Sequence, residues 1–262
     1  MRTIGTANAP TPSNADDVRE YYHRVLPFYD AELRERGDEG FWIWAASLPA
    51  GCRVLEVGAG TGRATAFLAR AAGRVVAFDL SPEMVAVARR RLASQRHVSL
   101  LVADLRNARF AERFDLVAAV NDPCVHLTGD ADRDRALATM AEHLAPGGRV
   151  ILDAGWLSPE RRRIAEAQGL VEDRQPARHL SVRETWRCST GTRLCTSAFE
   201  YRLDGQLNAE ASFPARLWSR AELTERCAAA GLVITRLWGD YDRRPWDRNT
   251  SPRLIAEMQA RV

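Results

Sequence analysis

The chain has 262 residues, 46% of them hydrophobic, enough to bury the core of one large domain with room for an insertion. A formal net charge of +3 is too small to point by itself to nucleic acid or a membrane surface; lysine is absent, which excludes Schiff-base and lysine-base mechanisms. No stretch approaches the roughly 18 apolar residues of a membrane helix and the N-terminus lacks a hydrophobic signal core, so a cytoplasmic protein with no membrane partner is expected.

The opening "TIGTANAPTPSNADD" is small, polar and proline-bearing, and residues 1–16 are expected to be a disordered tail. "VREYYHRVLPFYDAELRERG" is aromatic and amphipathic, and reads as two short helices broken near Pro27. With "FWIW" it makes a helical N-terminal lid over 17–50. "RVLEVG" is a strand and "GRATAFLARAAG" a helix closed by Gly73. "RVVAFD" is a second strand, followed by the helix "SPEMVAVARRRLASQ" with Ser81 as N-cap and Pro82 in its first turn. "HVSLLVAD", "FDLVAAVND" and "GGRVILDAG" are further strands, the last two separated by the helix "DRDRALATMAEHLAPGG". After Trp156 the chain becomes rich in threonine, serine and aromatics, with turn signals at "STGT" and "LDGQ", and reads as an antiparallel excursion. "SRAELTERCAAAG" returns as a helix before the strands "LVITRLWGDYD" and "RLIAEMQA".

This alternation predicts an α/β fold: a doubly wound, seven-stranded, mostly parallel Rossmann-like sheet with an antiparallel final hairpin. The core is expected over 51–160 and 217–262, with 161–216 as a small antiparallel β insertion roofing the substrate. The five cysteines (Cys52, Cys124, Cys188, Cys195 and Cys227) are scattered and never in C-x-x-C spacing, which argues against both a disulfide framework and a zinc site; no metal is expected.

Ligands in such sheets bind beyond the carboxyl ends of the strands, where strand order reverses. There the loop Gly58-Ala59-Gly60-Thr61-Gly62 follows "VLEV". Its G-x-G-x-G spacing differs from the G-x-G-x-x-G of a dinucleotide site, and Glu56 stands two residues before it. Asp79 ends the second strand, where a carboxylate can accept from both ribose hydroxyls, and Asp104 ends the third, within reach of an adenine amino group. Acids at three successive strand ends around one glycine loop argue for a ligand over a bare tight turn.

With these residues in view, the chain resembles the class I S-adenosylmethionine-dependent methyltransferases, and within them the bacterial small-molecule (natural-product) enzymes. "VLEVGAGTGR", "VVAFDLSPEMV", "LLVADLRN", "FDLVAAVNDPCVHL" and "LAPGGRVILD" match their successive motifs. The resemblance implies S-adenosyl-L-methionine as cofactor and S-adenosyl-L-homocysteine as product. Gly58, Ala59, Gly60 and Gly62 would lie against the methionine part with Glu56 beneath it, and Asp79 would bind the ribose. Leu80 and Met84 would pack on adenine, Asp104 beside Leu105 would accept from its amino group, and Asn121 would border the sulfonium. An acid-lined site suits a cofactor that is cationic and has no phosphates.

An activated sulfonium leaves the enzyme to place a nucleophile in line and exclude water, helped by a base where the nucleophile begins protonated. His126, just past the fourth strand, is the candidate base, with Tyr22 and Tyr29 from the lid as hydroxyls facing both cofactor and acceptor. Tyr21, Trp44, Trp186, Tyr201, Arg216 and Tyr241 are the candidates for the acceptor pocket. The expected reaction is methyl transfer to a small-molecule acceptor in bacterial secondary metabolism, with nitrogen or oxygen favoured over carbon. Nucleic acid is the competing acceptor, weakened by "NDPC", which has no aromatic where base-modifying enzymes carry N-P-P-Y. A protein acceptor is disfavoured to a similar degree, and the same fold turned to non-methylating chemistry would carry the same cofactor residues. Nothing in the sequence selects between monomer and homodimer.

Overall fold

The computed structural model describes residues 15–34 and 36–261. Most of the expected disordered tail, 1–14, lies outside them, whereas Ala15 and Asp16 already begin a helix.

That helix, α1 (Ala15–Glu32), corrects the expectation of two short helices, because it runs through Pro27. A proline inside a helix removes one backbone bond and crowds the preceding turn. Here Val25 and Phe28, on either side of it, are buried against Leu180, Val182, Phe199 and Tyr201, so packing holds the helix together. The remaining elements of the first half are α2 (Glu39–Ala46), β1 (Arg53–Val57), α3 (Arg63–Ala69), β2 (Arg74–Asp79), α4 (Pro82–Arg91) and β3 (Val98–Val102). The Ser81 hydroxyl caps α4 by accepting from the Met84 N–H, as its sequence predicts. Then come β4 (Phe114–Ala119), α5 (Asp130–Glu142), β5 (Leu144–Ala154), α6 (Pro159–Ala167), β6 (Leu170–Ala177), β7 (Leu180–Cys188), β8 (Leu194–Leu203) and β9 (Gln206–Arg216). The chain closes with α7 (Arg220–Ala229), β10 (Leu232–Trp238) and β11 (Leu254–Ala260).

Seven strands form one sheet in the order β10-β11-β5-β4-β1-β2-β3, parallel except for β11, which is antiparallel to both neighbours. Strand order reverses between β1 and β4, which are parallel partners. Side chains alternate across the sheet: Leu55 and Val57 of β1 join the core under α5 and α7, while Val54 joins the core under α2 and α3. Both faces are covered, as a parallel sheet requires.

β6 to β9 form a separate antiparallel meander. Its β8–β9 turn has Asp204 at φ 49° and Gly205 at φ 82°, the paired left-handed geometry that the "DG" dipeptide favours. One expectation fails in this sheet. Cys188 and Cys195 stand directly opposite each other on β7 and β8 and are joined as a disulfide. Their spacing in sequence carries no signal, because the hairpin register is what brings them together. Among the described residues, no helix is long and apolar enough to cross a membrane.

Candidate active site

Two adjoining cavities open at the carboxyl ends of the parallel strands, and Tyr22, Tyr29, Asn121 and His126 line both. The first is walled by Gly58, Asp79, Leu80, Asp104 and Leu105, together with Val18 of α1. The glycine loop bends over it. Gly60 lies at φ 54°, and a Cβ there would come within 3.1 Å of the Tyr29 hydroxyl, so α1 packs on the loop where only glycine fits.

The loop is fixed by Asp79, whose Oδ2 accepts from the Gly60 N–H (2.8 Å) and Oδ1 from the Ser81 N–H (2.9 Å). Burial raises the Asp79 carboxyl above its ordinary value, against the lowering by these N–H groups. Glu56 is fully buried at the end of β1, and neither carboxylate oxygen makes a well-formed hydrogen bond. Burial pushes it up to about 8, only partly opposed by the neighbouring Thr65 hydroxyl and the Arg63 charge. Partial burial also disfavours the Asp104 anion, but the Arg106 guanidinium outweighs it and holds that carboxyl below its ordinary value.

Of the expected cofactor set, Gly58, Asp79, Leu80, Asp104, Leu105 and Asn121 line this cavity, whereas Glu56, Ala59, Gly60, Gly62 and Met84 do not. Ala59 packs into the core under α2 and α3, and Met84 is buried below α4. At Gly62 a Cβ would meet Ala88 and Leu92, so that glycine serves the packing of α3 on α4.

The segment after β4 is strained. Asn121 and Asp122 are consecutive non-glycine residues at φ 58° and 44°, a conformation that side chains of most types avoid. Asp122 pins it, accepting from the N–H groups of Cys124 (3.0 Å) and Gly155 (2.6 Å) and so joining the ends of β4 and β5. Burial, opposed first by the Arg133 charge, leaves the Asp122 carboxyl at about 6. Beyond this turn, His126 Nε2 lies 2.9 Å from the Tyr22 hydroxyl, within the rings of Tyr21 and Phe213. Burial pushes His126 down to about 4 and raises the Tyr22 and Tyr29 phenols, so all three are neutral near pH 7.

The second cavity lies between α1, the end of β5 and the β6–β9 sheet. Aromatic rings of Tyr21, Trp156, Trp186, Phe199 and Phe213 line it together with charged groups. Of the expected acceptor residues, Tyr21 and Trp186 are there; four others are elsewhere. Trp44 packs against Phe41, Trp238 and Arg243 on another face. Arg216 is spent on Asp130 and Glu222. Tyr201 and Tyr241 stand behind the wall and hold carboxylates that form it. The Tyr201 hydroxyl donates to Glu32 (2.9 Å), and the Tyr241 hydroxyl donates to Asp153 (2.6 Å).

The residues missed from sequence are therefore those carboxylates and their arginines: Glu32, Arg36, Asp153, Arg174 and Glu184. Arg36 donates to Asp153 (3.0 Å), and Arg174 donates to both Glu32 (2.9 Å) and Glu184 (2.8 Å). Asp153 at the end of β5 was open to the strand-end rule. Glu184 had no signal, since it lies mid-strand in the insertion.

A methyltransferase-domain family model matches residues 54–148. The chain is 33% identical over 172 residues to the dTDP-3-amino-3,6-dideoxy-alpha-D-glucopyranose N,N-dimethyltransferase of Streptomyces fradiae, a stretch covering 63% of this chain and 66% of that one. It is 26% identical over 216 residues to the cypemycin N-terminal methyltransferase of a Streptomyces species, covering 82% and 86%. Among solved structures it is similar to CalS10, an amino pentose methyltransferase from Micromonospora echinaspora, at TM-score 0.67 and 25% identity over 90% of this chain and 96% of that one. The fold also matches the CcbJ methyltransferase of Streptomyces caelestis at TM-score 0.78 and 21% identity, covering 92% and 98%. Sheet order, strand-end acids and these likenesses agree, and the chain belongs to the S-adenosylmethionine-dependent methyltransferases.

Proposed function

We propose that this chain methylates an amino group of a small molecule. The observation that carries the reading is the pair of cavities meeting at Tyr22, Tyr29, Asn121 and His126, the second of them lined by aromatic rings and by the carboxylates Glu32, Asp153 and Glu184. Carboxylates and aromatic faces suit a cationic or hydrogen-bonding amine. Two relatives whose names specify methylation at an amino group, on a deoxy-amino sugar and on a peptide N-terminus, support nitrogen over oxygen and carbon. Cytoplasmic residence, with no nucleic-acid or membrane partner, belongs to the same reading.

The cofactor fits the lining of the first cavity, together with Glu56, which is buried behind it next to Val57. Asp79 spends one hydrogen bond per oxygen on the backbone and keeps lone pairs for two ribose hydroxyls. Buried Glu56, without a well-formed hydrogen bond, has a natural partner in the amino group of the methionine part. Leu80 and Leu105 would flank adenine beside Asp104, and Asn121 would border the sulfonium. When bound, the cofactor supplies an electrophilic methyl group on a sulfonium.

The chain's own contribution is placement. Tyr22 and His126, neutral and bonded to one another, orient the acceptor nitrogen at the junction without a competing charge. α1 covers the junction as a lid and the β6–β9 sheet roofs the acceptor, which together exclude water.

The test pairs calorimetry with mass spectrometry. Purified protein is titrated with S-adenosylmethionine, NAD and NADP, then incubated with S-adenosylmethionine and a panel of amino sugars, aromatic amines, short peptides and phenols. Binding of the first cofactor alone and a gain of one methyl on nitrogen are expected. Methylation confined to phenol oxygen, or binding of a nicotinamide cofactor instead, would overturn the reading.

A further inference from the structure

The β6–β9 sheet carries a buried acid whose part in the proposed function so far is only to line the acceptor cavity. Glu184 faces the acceptor cavity from the middle of β7. Its Oε1 accepts from the Ser197 hydroxyl (3.1 Å) and its Oε2 from Arg174 (2.8 Å). The same guanidinium nitrogen reaches Glu32 of α1 (2.9 Å), whose other oxygen accepts from the Tyr201 hydroxyl. Two carboxylates thus share one arginine on the cavity wall. Tying α1 to the sheet needs only one of them, and a second buried acid without its own counter-ion is costly. That surplus negative charge, beside Tyr21 and Trp186, is what a cationic guest would neutralise.

We propose that Glu184 accepts the proton that an ammonium acceptor must lose before its nitrogen can attack, with Glu32 and Arg174 as positioning residues. The inference rests on the amine reading. The ammonium gives its proton to the Glu184 carboxylate, and the freed lone pair forms the new N–C bond. The C–S bond breaks with its electron pair staying on sulfur, and the Glu184 carboxylic acid returns the proton to solvent. The charged and titratable groups around Glu184 include Glu32 and Tyr21 of α1, Glu172 and Arg174 of β6, and Tyr201 of β8, with Arg161 of α6 on the same cavity wall paired to Glu172. Burial, opposed first by Arg174, sets the Glu184 carboxyl at about 7, where it can be ionised yet still hold a proton. His126, pushed down to about 4, is too weak for that task.

The test begins with an amine that the wild-type enzyme methylates. Its kcat/KM should fall on the acid side with an apparent pKa near 7. E184Q should lose that limb and drop turnover by about 100-fold, a typical contribution of a general base, while S-adenosylmethionine affinity stays unchanged. A second readout needs no turnover: calorimetry of amine binding to the cofactor-free protein at pH 6, where Glu184 starts mostly protonated, in buffers of different ionisation enthalpy, should count close to one proton released for wild type, because nitrogen and carboxylate together keep one proton fewer in the complex, and none for E184Q. S197A keeps the carboxylate and removes a bond that favours its ionised form, so it should move the acid limb to higher pH; it carries the test should E184Q not fold. An E184Q enzyme within threefold of wild type, a surviving acid limb, or an unmoved limb in S197A overturns the proposal while leaving the amine reading intact. A wild-type enzyme that methylates only oxygen removes both.

Discussion

Glu56 allows a test of the cofactor site that does not depend on knowing the acceptor. Its carboxyl is pushed from an ordinary value of 4.5 up to about 8 by burial. The folded state therefore holds a proton that the unfolded chain has already released across that interval. Stability rises with pH only where the unfolded state binds more protons, so here it must fall, starting above the unfolded value and ending near the folded one. Between pH 5.5 and 7.5 the slope is about 1.4 kcal/mol per pH unit, and at pH 7 the accumulated cost is about 3 kcal/mol. Glu56→Gln removes the titration and keeps the shape. The offset between variant and wild type depends on how the amide is accommodated, but the slope does not. The stability of Glu56→Gln minus that of wild type, from urea unfolding at several pH values, should increase by roughly 3 kcal/mol from pH 5.5 to 7.5. The same substitution should weaken S-adenosylmethionine binding at pH 7.5 by at least about tenfold, because a neutral amide replaces the partner of an ammonium group. Parallel stability curves would refute the burial argument, and unchanged cofactor affinity would refute the role assigned to the carboxylate.

At the glycine loop, Gly60→Ala forces a left-handed alanine, at roughly 1–2 kcal/mol, and drives its Cβ toward the Tyr29 hydroxyl. Calorimetry should show S-adenosylmethionine affinity reduced by about tenfold or more; an affinity within twofold of wild type would contradict the need for glycine under α1. His126→Ala and Tyr22→Phe should each lower turnover by about tenfold with little change in cofactor affinity. The double variant should be little worse than either, since the two groups form one hydrogen-bonded unit; strictly additive losses would separate their roles. Asp38 is buried and receives a two-pronged contact from Arg63 at 2.7 Å for each bond, with Arg36 at 4.0 Å. Asp38→Asn leaves the largely buried Arg63 without its carboxylate, while Arg36 keeps Asp153, and should cost about 3–5 kcal/mol in urea unfolding.

The parallel core was open to reading because each of its elements carries its own local signal. β1 is a short apolar run ended by glycines, α4 announces itself through Ser81 and Pro82, and Asp79 and Asp104 sit where strand ends must face a ligand. What escaped was decided by contacts distant in sequence. Nothing within "RVLPFYD" says that Val25 and Phe28 will find β7 and β8 and so keep α1 whole. Cys188 and Cys195 meet only through a hairpin register. Tyr201 and Tyr241, expected at the acceptor pocket, each turn the hydroxyl to a carboxylate from behind, and the carboxylate meets the cavity. Residue type marked these tyrosines as recognition residues, but strand alternation on β8 sets the side Tyr201 serves, and the loop after β10 sets that of Tyr241.

That division follows from how the two halves of the site are built. The half proposed for the cofactor is made by consecutive strand-to-helix turns, so short motifs hold nearly all of it. The cavity proposed for the acceptor gathers Glu32 from α1, Asp153 from β5, and Arg174 and Glu184 from the β6–β9 sheet. No two of these four belong to one turn or loop, and each is held by a partner at least ten residues away: Tyr201, Tyr241, and the two glutamates that share Arg174. A carboxylate in the roof can therefore change without disturbing the glycine loop. On the proposed function, substitutions in β6–β9 would change the acceptor while leaving the residues proposed for the cofactor in place.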